Sequence, residues 1–188
     1  MLIDRGLVRR RLAGRPCQKI ADTGLREAAV LLAFFRRDRE DWLLLTRRTD
    51  AVRHHKGEIC LPGGSREPTD ADPAATALRE TEEELGLPPN RFDILGCLDD
   101  VVSVHGYRVS PVVAELDRPG GYRPDPDEID AVLELPLRGF FRPGAHHSEN
   151  WKHRGRMERV HFYRVEGVEV WGMTAAVLRQ FFRLVHLL

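Results

Sequence analysis

The sequence has no charge bias. Its 188 residues carry 29 Lys+Arg against 29 Asp+Glu, a formal net charge of zero. No global field draws it to nucleic acid or an anionic membrane, so any anion affinity must come from local clusters. A cysteine framework is also lacking. Cys17, Cys60 and Cys97 are odd in number and widely spaced, and match neither a disulfide scaffold nor a zinc pattern. Each reads as a small core or surface residue. The longest apolar run, Ala28 to Phe35, is far too short to cross a bilayer. The opening MLIDRGLVRRRLAG places an acid early and has no extended apolar core, unlike a secretory signal. The final Val-His-Leu-Leu is no lipidation or peroxisomal ending. No internal repeat or low-complexity tract is visible. These absences point to a single cytoplasmic domain with a sizeable core.

What is present centres on Gly63 to Leu87, GGSREPTDADPAATALRETEEELGL. A Gly-Gly turn leads through an acidic loop into a helix. Asp72 before Pro73 reads as an N-cap with Pro at the first helical position, and Gly86 reads as the stop. At about 100° per residue, Glu83 and Glu84 fall within about 60° of Glu80, with Thr76 on the same side. Ala74, Leu78, Thr81 and Leu85 form a separate buried stripe. Like charges at helical spacing cost about 0.2–0.5 kcal/mol per pair. Three on one face make sense around a hard divalent cation, which prefers oxygen ligands.

Around this centre the chain reads as follows. Residues 2–13 suit a short amphipathic helix, with Leu2, Ile3, Leu7 and Leu12 on one side and Arg9, Arg10 and Arg11 exposed. Residues 14–27 form a connector, so that 1–26 is an N-terminal helix and connector and 27–188 the main domain. Glu27–Phe35 and Asp41–Arg47 read as a hairpin in a sheet. Further strands are expected at 58–61, 92–98, 108–116, 131–137, 149–154, 158–165 and 168–172. Pro111 implies an edge or a bulge. A terminal helix occupies 173–187. Between the second and third strands, Arg47, Arg48, Arg53 and Lys56 with two histidines make a basic loop, suited to phosphate oxygens. Glu128 opens a later strand and is a fourth carboxylate able to fold back toward the helix.

The central stretch resembles the Nudix box, which runs G, five residues, E, seven residues, then R-E-U-x-E-E-x-G-U with U aliphatic. Its second half is matched by Arg79-Glu80-Thr81, Glu83-Glu84 and Gly86-Leu87. Thr81 replaces an aliphatic residue. The Gly64–Arg79 interval is one residue too long, so the upstream acid has no clean counterpart, with Glu67 a candidate. Upstream, Leu44-Leu45-Thr46-Arg47-Arg48-Thr49, Arg53, His55, Gly57 and Leu61-Pro62-Gly63-Gly64 resemble the motif of the coenzyme A diphosphatase branch, of the bacterial NudL type. The resemblance continues in Ser103–Val113, Asp127–Leu137 and Val170–Thr174.

This resemblance implies an α/β/α sandwich, a mixed β-sheet between helices. It implies an enzyme that hydrolyses the diphosphate of coenzyme A or its derivatives with Mg²⁺ or Mn²⁺. Glu80, Glu83 and Glu84, with the Gly64 carbonyl, are the expected metal ligands. Arg79 would orient Glu83, and the general base stays open between Glu80 and Glu128. Arg47, Arg48, Arg53 and Lys56 are the expected phosphate-binding residues. Trp171, Met173 and Thr174 are candidates for the pocket wall. The expected partner is a small nucleotide, with no nucleic acid or membrane, and the protein would act as a monomer or homodimer. Two alternatives remain. One is a Nudix hydrolase of ADP-ribose, NADH or a nucleoside triphosphate. The other is a non-catalytic nucleotide sensor.

Overall fold

The apolar run that begins near Glu27 forms β1 (Arg26–Arg37), and a tight turn folds it into β2 (Glu40–Arg48). Asp38 and Arg39 both take positive φ, 50° and 59°. That geometry matches the twist of two-residue hairpins. The computed structural model describes residues 1–13, 15–21, 24–49, 57–153 and 155–185. β1 and β2 pair only close to the turn, from Phe34↔Leu43 to Arg37↔Glu40. Beyond it they splay. The split holds two short strands, β3 (Ile59–Cys60) against β2 and β4 (Gly63–Ser65) against β1. Leu31 N–H donates to Pro62 O at 2.8 Å, which locks the Leu61–Gly64 turn into that split.

The chain then runs through α2 (Pro73–Leu85), β5 (Phe92–Cys97), β6 (Val101–Val102) and β7 (Tyr107–Leu116). β7 pairs with β1 in parallel from Arg26↔Tyr107 to Phe34↔Glu115, and α2 lies in the crossover that a parallel pair requires. β8 (Ile129–Pro136) pairs with the other edge of β2. The main sheet is therefore mixed, with eight strands among the described residues and the central order β8-β2-β1-β7-β5. A second sheet follows in the order β11-β10-β9, from β9 (His146–His153), β10 (Arg156–Val165) and β11 (Val168–Trp171). α3 (Gly172–Leu184) closes the described chain.

Along β1, Val30, Leu32 and Phe34 enter one core while Ala29, Leu31, Ala33 and Phe35 enter the other. This is why β1 reads as a continuous apolar run: both of its faces are covered. One core is closed by Ala77 and Leu85 of α2. The other is closed by Leu178, Phe181 and Phe182 of α3 together with residues of α1 (Arg5–Ala13). The layers are helix, mixed sheet, helix, as anticipated.

Three readings are corrected. Pro111 is not on an edge strand, because β7 runs between β1 and β5, although the β5–β7 ladder is bulged nearby, between Ile94 and Gly96. A residue's N and C=O point to the same side of a strand. Pro111 O accepts from Leu98 N at 2.9 Å, so its donor-free nitrogen faces the same side, where β5 has ended at Cys97 and β6 has not begun. On α1 the buried side chains are Val8 and Leu12, with Ile3 just ahead of the helix, while Leu2 is exposed. Finally, Cys17 and Cys97 are joined as a disulfide with Cα atoms 6.0 Å apart, and only Cys60 is free. Sequence spacing could not show this pairing, because the partners lie 80 residues apart.

The N-terminal segment is anchored further by Asp41. Its side chain is fully buried and accepts from Arg5 at 2.8 Å, from Arg36 at 3.0 Å and from Ile3 N–H. Burial pushes this carboxyl up, but Arg36, the Ile3 N–H and Arg5 outweigh it, so it lies below the ordinary value. Removing the carboxylate takes the acceptor from the buried Ile3 N–H and the shared partner from Arg5 and Arg36, which keep Glu115 and Ile3 O. Asp41→Ala should cost about 1–3 kcal/mol of folding free energy, the scale of a buried donor left unpaired, measured by urea unfolding. A loss of only a few tenths would show that the cluster behaves like a solvated surface pair.

Candidate active site

The ends of α2 follow the sequence closely. Asp72 Oδ1 accepts from Ala75 N at 2.8 Å, Pro73 opens the helix, and Gly86 caps it at φ 65°. Asp72 is thus a cap and not a ligand. The C-terminal carbonyls of α2 are met by the following loop, where Arg123 N donates to Leu85 O and Asp125 N to Glu84 O. This wrapping brings Glu128 back to the helix.

The three carboxylates occupy different environments. Glu83 is exposed and pairs with Arg79 Nη1 at 2.9 Å, the i,i+4 arrangement. Glu80 is half-buried against β4. Its carboxylate lies so close to the Gly64 Cα that a Cβ there would overlap it. Glu84 is only 4% exposed. Its Oε2 accepts from Gly63 N at 3.1 Å and its Oε1 from Arg48 Nη1 at 3.3 Å. The Gly-Gly turn is therefore a seat for two carboxylates. Gly63 itself, at φ 145°, runs against the Ala29 carbonyl and the Val30 Cα, where no side chain fits.

Arg48 bridges Glu84 to Glu128, its Nη2 lying 3.2 Å from Glu128 Oε2. Arg47 goes elsewhere. The β2–β8 register skips one residue between Arg47↔Ala131 and Arg48↔Ile129, leaving Asp130 as the bulged residue. Arg47 Nε donates to this Asp130 at the surface. Bulges re-aim side chains in this way. Arg53 and Lys56 lie outside the described residues.

Burial raises the Glu84 carboxyl to about 8, against help from Gly63 N–H and Arg48, and the neighbouring Glu128 and Glu80 add to the rise. Burial also raises Glu80, with Glu83 and Glu128 contributing and Arg79 opposing. Arg79 is a hub. It contacts Asp70, Glu80 and Glu83 and donates to Ser65 O at 2.8 Å. The Arg79 hydrogen bond holds the Asp70 carboxyl down at about 2.

Crowded, partly buried carboxylates with raised proton affinity are what a divalent cation would relieve. Gly64 supports this fit, since only a residue without Cβ admits Glu80 there. Glu80, Glu83 and Glu84, with a carbonyl of the Gly-Gly turn, could hold such an ion. Among the described residues no three ligand side chains already converge on one point, and Arg48 and Arg79 hold their oxygens. A bound ion would supply charge neutralisation on phosphate oxygens and a more acidic water.

The chain matches the model of the NUDIX domain over residues 25–166. It is 39% identical over 180 residues to the "Uncharacterized Nudix hydrolase NudL" of Cronobacter sakazakii, covering 96% of this chain and 93% of that one. It is 42% identical over 155 residues to the protein of the same name from Escherichia coli K12, covering 82% and 80%.

The chain belongs to the Nudix hydrolase family. It is a NudL-like Nudix hydrolase, and hence an enzyme. A MutT/nudix family protein from Enterococcus faecalis shares its fold, with a TM-score of 0.56 at 15% identity, covering 93% of this chain and 66% of that chain.

The structure also accounts for both departures from the Nudix box. Thr81 is fully buried, and its hydroxyl donates to Ala77 O at 2.6 Å, so it fills an apolar position with its polar atom satisfied. The upstream acid of the Nudix pattern is matched by Asp70. Five residues separate Gly64 from Asp70, as the pattern asks, and the extra residue falls later, between Asp70 and Arg79. Asp70 clamps Arg79 and accepts from Glu67 N at 2.9 Å. Glu67 lines the surface cleft beside Ser65 and Pro68 instead. Asp70 was the residue missed, and the signal was the spacing from Gly64 taken separately from the spacing to Arg79.

Proposed function

We propose that this Nudix hydrolase cleaves the diphosphate of coenzyme A and its derivatives with Mg²⁺ or Mn²⁺. The products would be 4′-phosphopantetheine, or its acyl form, and adenosine 3′,5′-bisphosphate. One observation carries the reading. The upstream motif and the Nudix box form one site, because Arg48 of the motif lies between Glu84 of the box and Glu128.

In this reading Glu80, Glu83, Glu84 and the Gly64 carbonyl hold the metal, and Arg79 fixes Glu83 and Glu80. Either Glu80 or Glu128 takes the proton from the attacking water as the new P–O bond forms and the anhydride P–O bond breaks. Arg48 stands where diphosphate oxygens would lie. Arg47, Arg53 and Lys56 belong to the same basic segment and are assigned to the remaining phosphates, including the 3′-phosphate, with Arg47 exchanging its surface contact to Asp130 for a phosphate oxygen. Arg forks suit paired phosphate oxygens. The enzyme would act in the cytoplasm as a monomer or homodimer. In a reducing compartment Cys17 and Cys97 would stand as two adjacent thiols.

The test is a substrate panel with Mg²⁺ or Mn²⁺: coenzyme A, dephospho-coenzyme A, ADP-ribose, NADH and nucleoside triphosphates, with products resolved chromatographically. Coenzyme A should give the highest kcat/KM, with dephospho-coenzyme A lower. Preference for ADP-ribose or NADH would replace the substrate while keeping the chemistry. Binding without turnover would make the protein a sensor.

A further inference from the structure

The second sheet and α3 carry a polar cluster that shares no residue with the carboxylate site. His146 and His161 stack with ring centroids 5.2 Å apart, and His146 Nε2 lies 3.1 Å from His161 Nδ1. Tyr163 follows on the same strand face, its ring 4.8 Å from that of His146. Tyr163 is buried, and its Oη lies beside the Arg179 guanidinium of α3. Arg179 offers a hydrogen bond to Tyr163 Oη, yet among the described residues the Tyr163 hydroxyl proton and the Arg179 Nε–H find no acceptor. Arg159 stands next to them, with its Nε donating to Ser148 Oγ at 2.9 Å, and Arg183 adds a further positive charge.

Two features together mark this cluster. The first is its unsatisfied donors. A buried unpaired polar group costs about 1–3 kcal/mol, and native proteins retain few without a reason. The second is its sign. The largest charges acting on the two imidazoles among the described residues are Arg179, Arg159, Arg183, His147 and one another, all of one sign. Burial and these cations hold both histidines below their ordinary value. A metal ion bound by the histidine pair would face three arginines, so the electrostatics favour an anion.

We propose that this cluster is a binding site for a phosphoryl oxyanion, separate from the hydrolytic centre. Tyr163 Oη, Arg179 and the His146–His161 pair donate to its oxygens, and Arg159 and Arg183 supply charge. The planar fork of Arg179 fits a tetrahedral oxyanion. Free phosphate and the terminal phosphate of a nucleotide present the same chemistry. The site does not depend on which diphosphate the enzyme hydrolyses.

The test is NMR of histidine-labelled protein titrated with inorganic phosphate, against chloride at matched ionic strength. Of the eight histidines, His146 and His161 should shift saturably with phosphate and not with chloride. Arg179→Gln should weaken binding about tenfold or more, the scale of losing a charge-assisted contact. Tyr163→Phe keeps the buried ring and should weaken it severalfold. Unchanged hydrolysis in both variants shows that they are folded. A parallel titration with adenosine 5′-monophosphate separates the sources: tighter binding than phosphate supports a nucleotide, and equal or weaker binding supports the free ion. Absence of a saturable shift, or identical curves for the parent and both variants, overturns the proposal.

Discussion

Glu84→Gln lowers kcat/KM by about a hundredfold or more, equivalent to roughly 2.7 kcal/mol of barrier. The side chain is buried, touches both the Gly63 N–H and Arg48, and is the deepest of the carboxylates on α2. Gln keeps the shape and removes the charge a cation needs. The same substitution has a stability signature. Burial holds the Glu84 carboxyl up at about 8, against an ordinary 4.5. Between those values the folded chain binds more protons than the unfolded one. The group's contribution to stability is therefore greatest below about 4.5 and falls as pH rises toward 8. Gln does not titrate. In metal-free buffer the Tm of Glu84→Gln should gain on that of the parent as pH rises across this window. A pH-independent Tm difference, or a folded variant with near-parental turnover, would remove Glu84 from the proposed role.

Gly64→Ala and Gly63→Ala should fail in different ways. At Gly64 the atoms nearest a methyl group are those of the Glu80 carboxylate, a movable side chain. The variant should fold while its turnover drops about a hundredfold, the cost of shifting a reacting group by about 1 Å. At Gly63 the methyl meets the Ala29 carbonyl oxygen and the Val30 Cα, which are backbone atoms of the central strand, and φ is 145°. Neither can yield cheaply. That variant should lose at least about 2–3 kcal/mol of stability. Urea unfolding and steady-state kinetics on both proteins separate the outcomes. Loss of stability in Gly64→Ala with activity intact would contradict the carboxylate seat.

The sequence was most legible where structure is set within a few residues. Asp72, Pro73 and Gly86 fix α2 through local capping, and the Phe35–Asp41 hairpin follows from an apolar run broken by charge. The resemblance to the Nudix pattern carried the layered fold and the carboxylate helix. What escaped depends on distant partners. Pro111 sits in an interior strand because a neighbour breaks opposite it, and no local rule encodes that break. Arg47 and Arg48 look alike in sequence, yet a bulge at Asp130 sends one to the surface and the other to Glu84. Asp70 was hidden by a one-residue insertion that blurred a composite spacing.

The parallel pairing of β1 with β7 also bears on how the chain is made. Arg26 meets Tyr107, and the Cys17–Cys97 bond spans 80 residues. During synthesis the β1–β2 hairpin emerges early and can close at once, as local contacts do. Its outer edge must then wait for β7 while α2 and β5 are still being translated. For that interval Leu31, Leu32 and Phe34 belong to an apolar strand with an open hydrogen-bonding edge. Such an edge is a template for mispairing with a neighbouring nascent chain. The most exposed moment in this protein's life thus comes before its active site exists, and it ends when β7 docks.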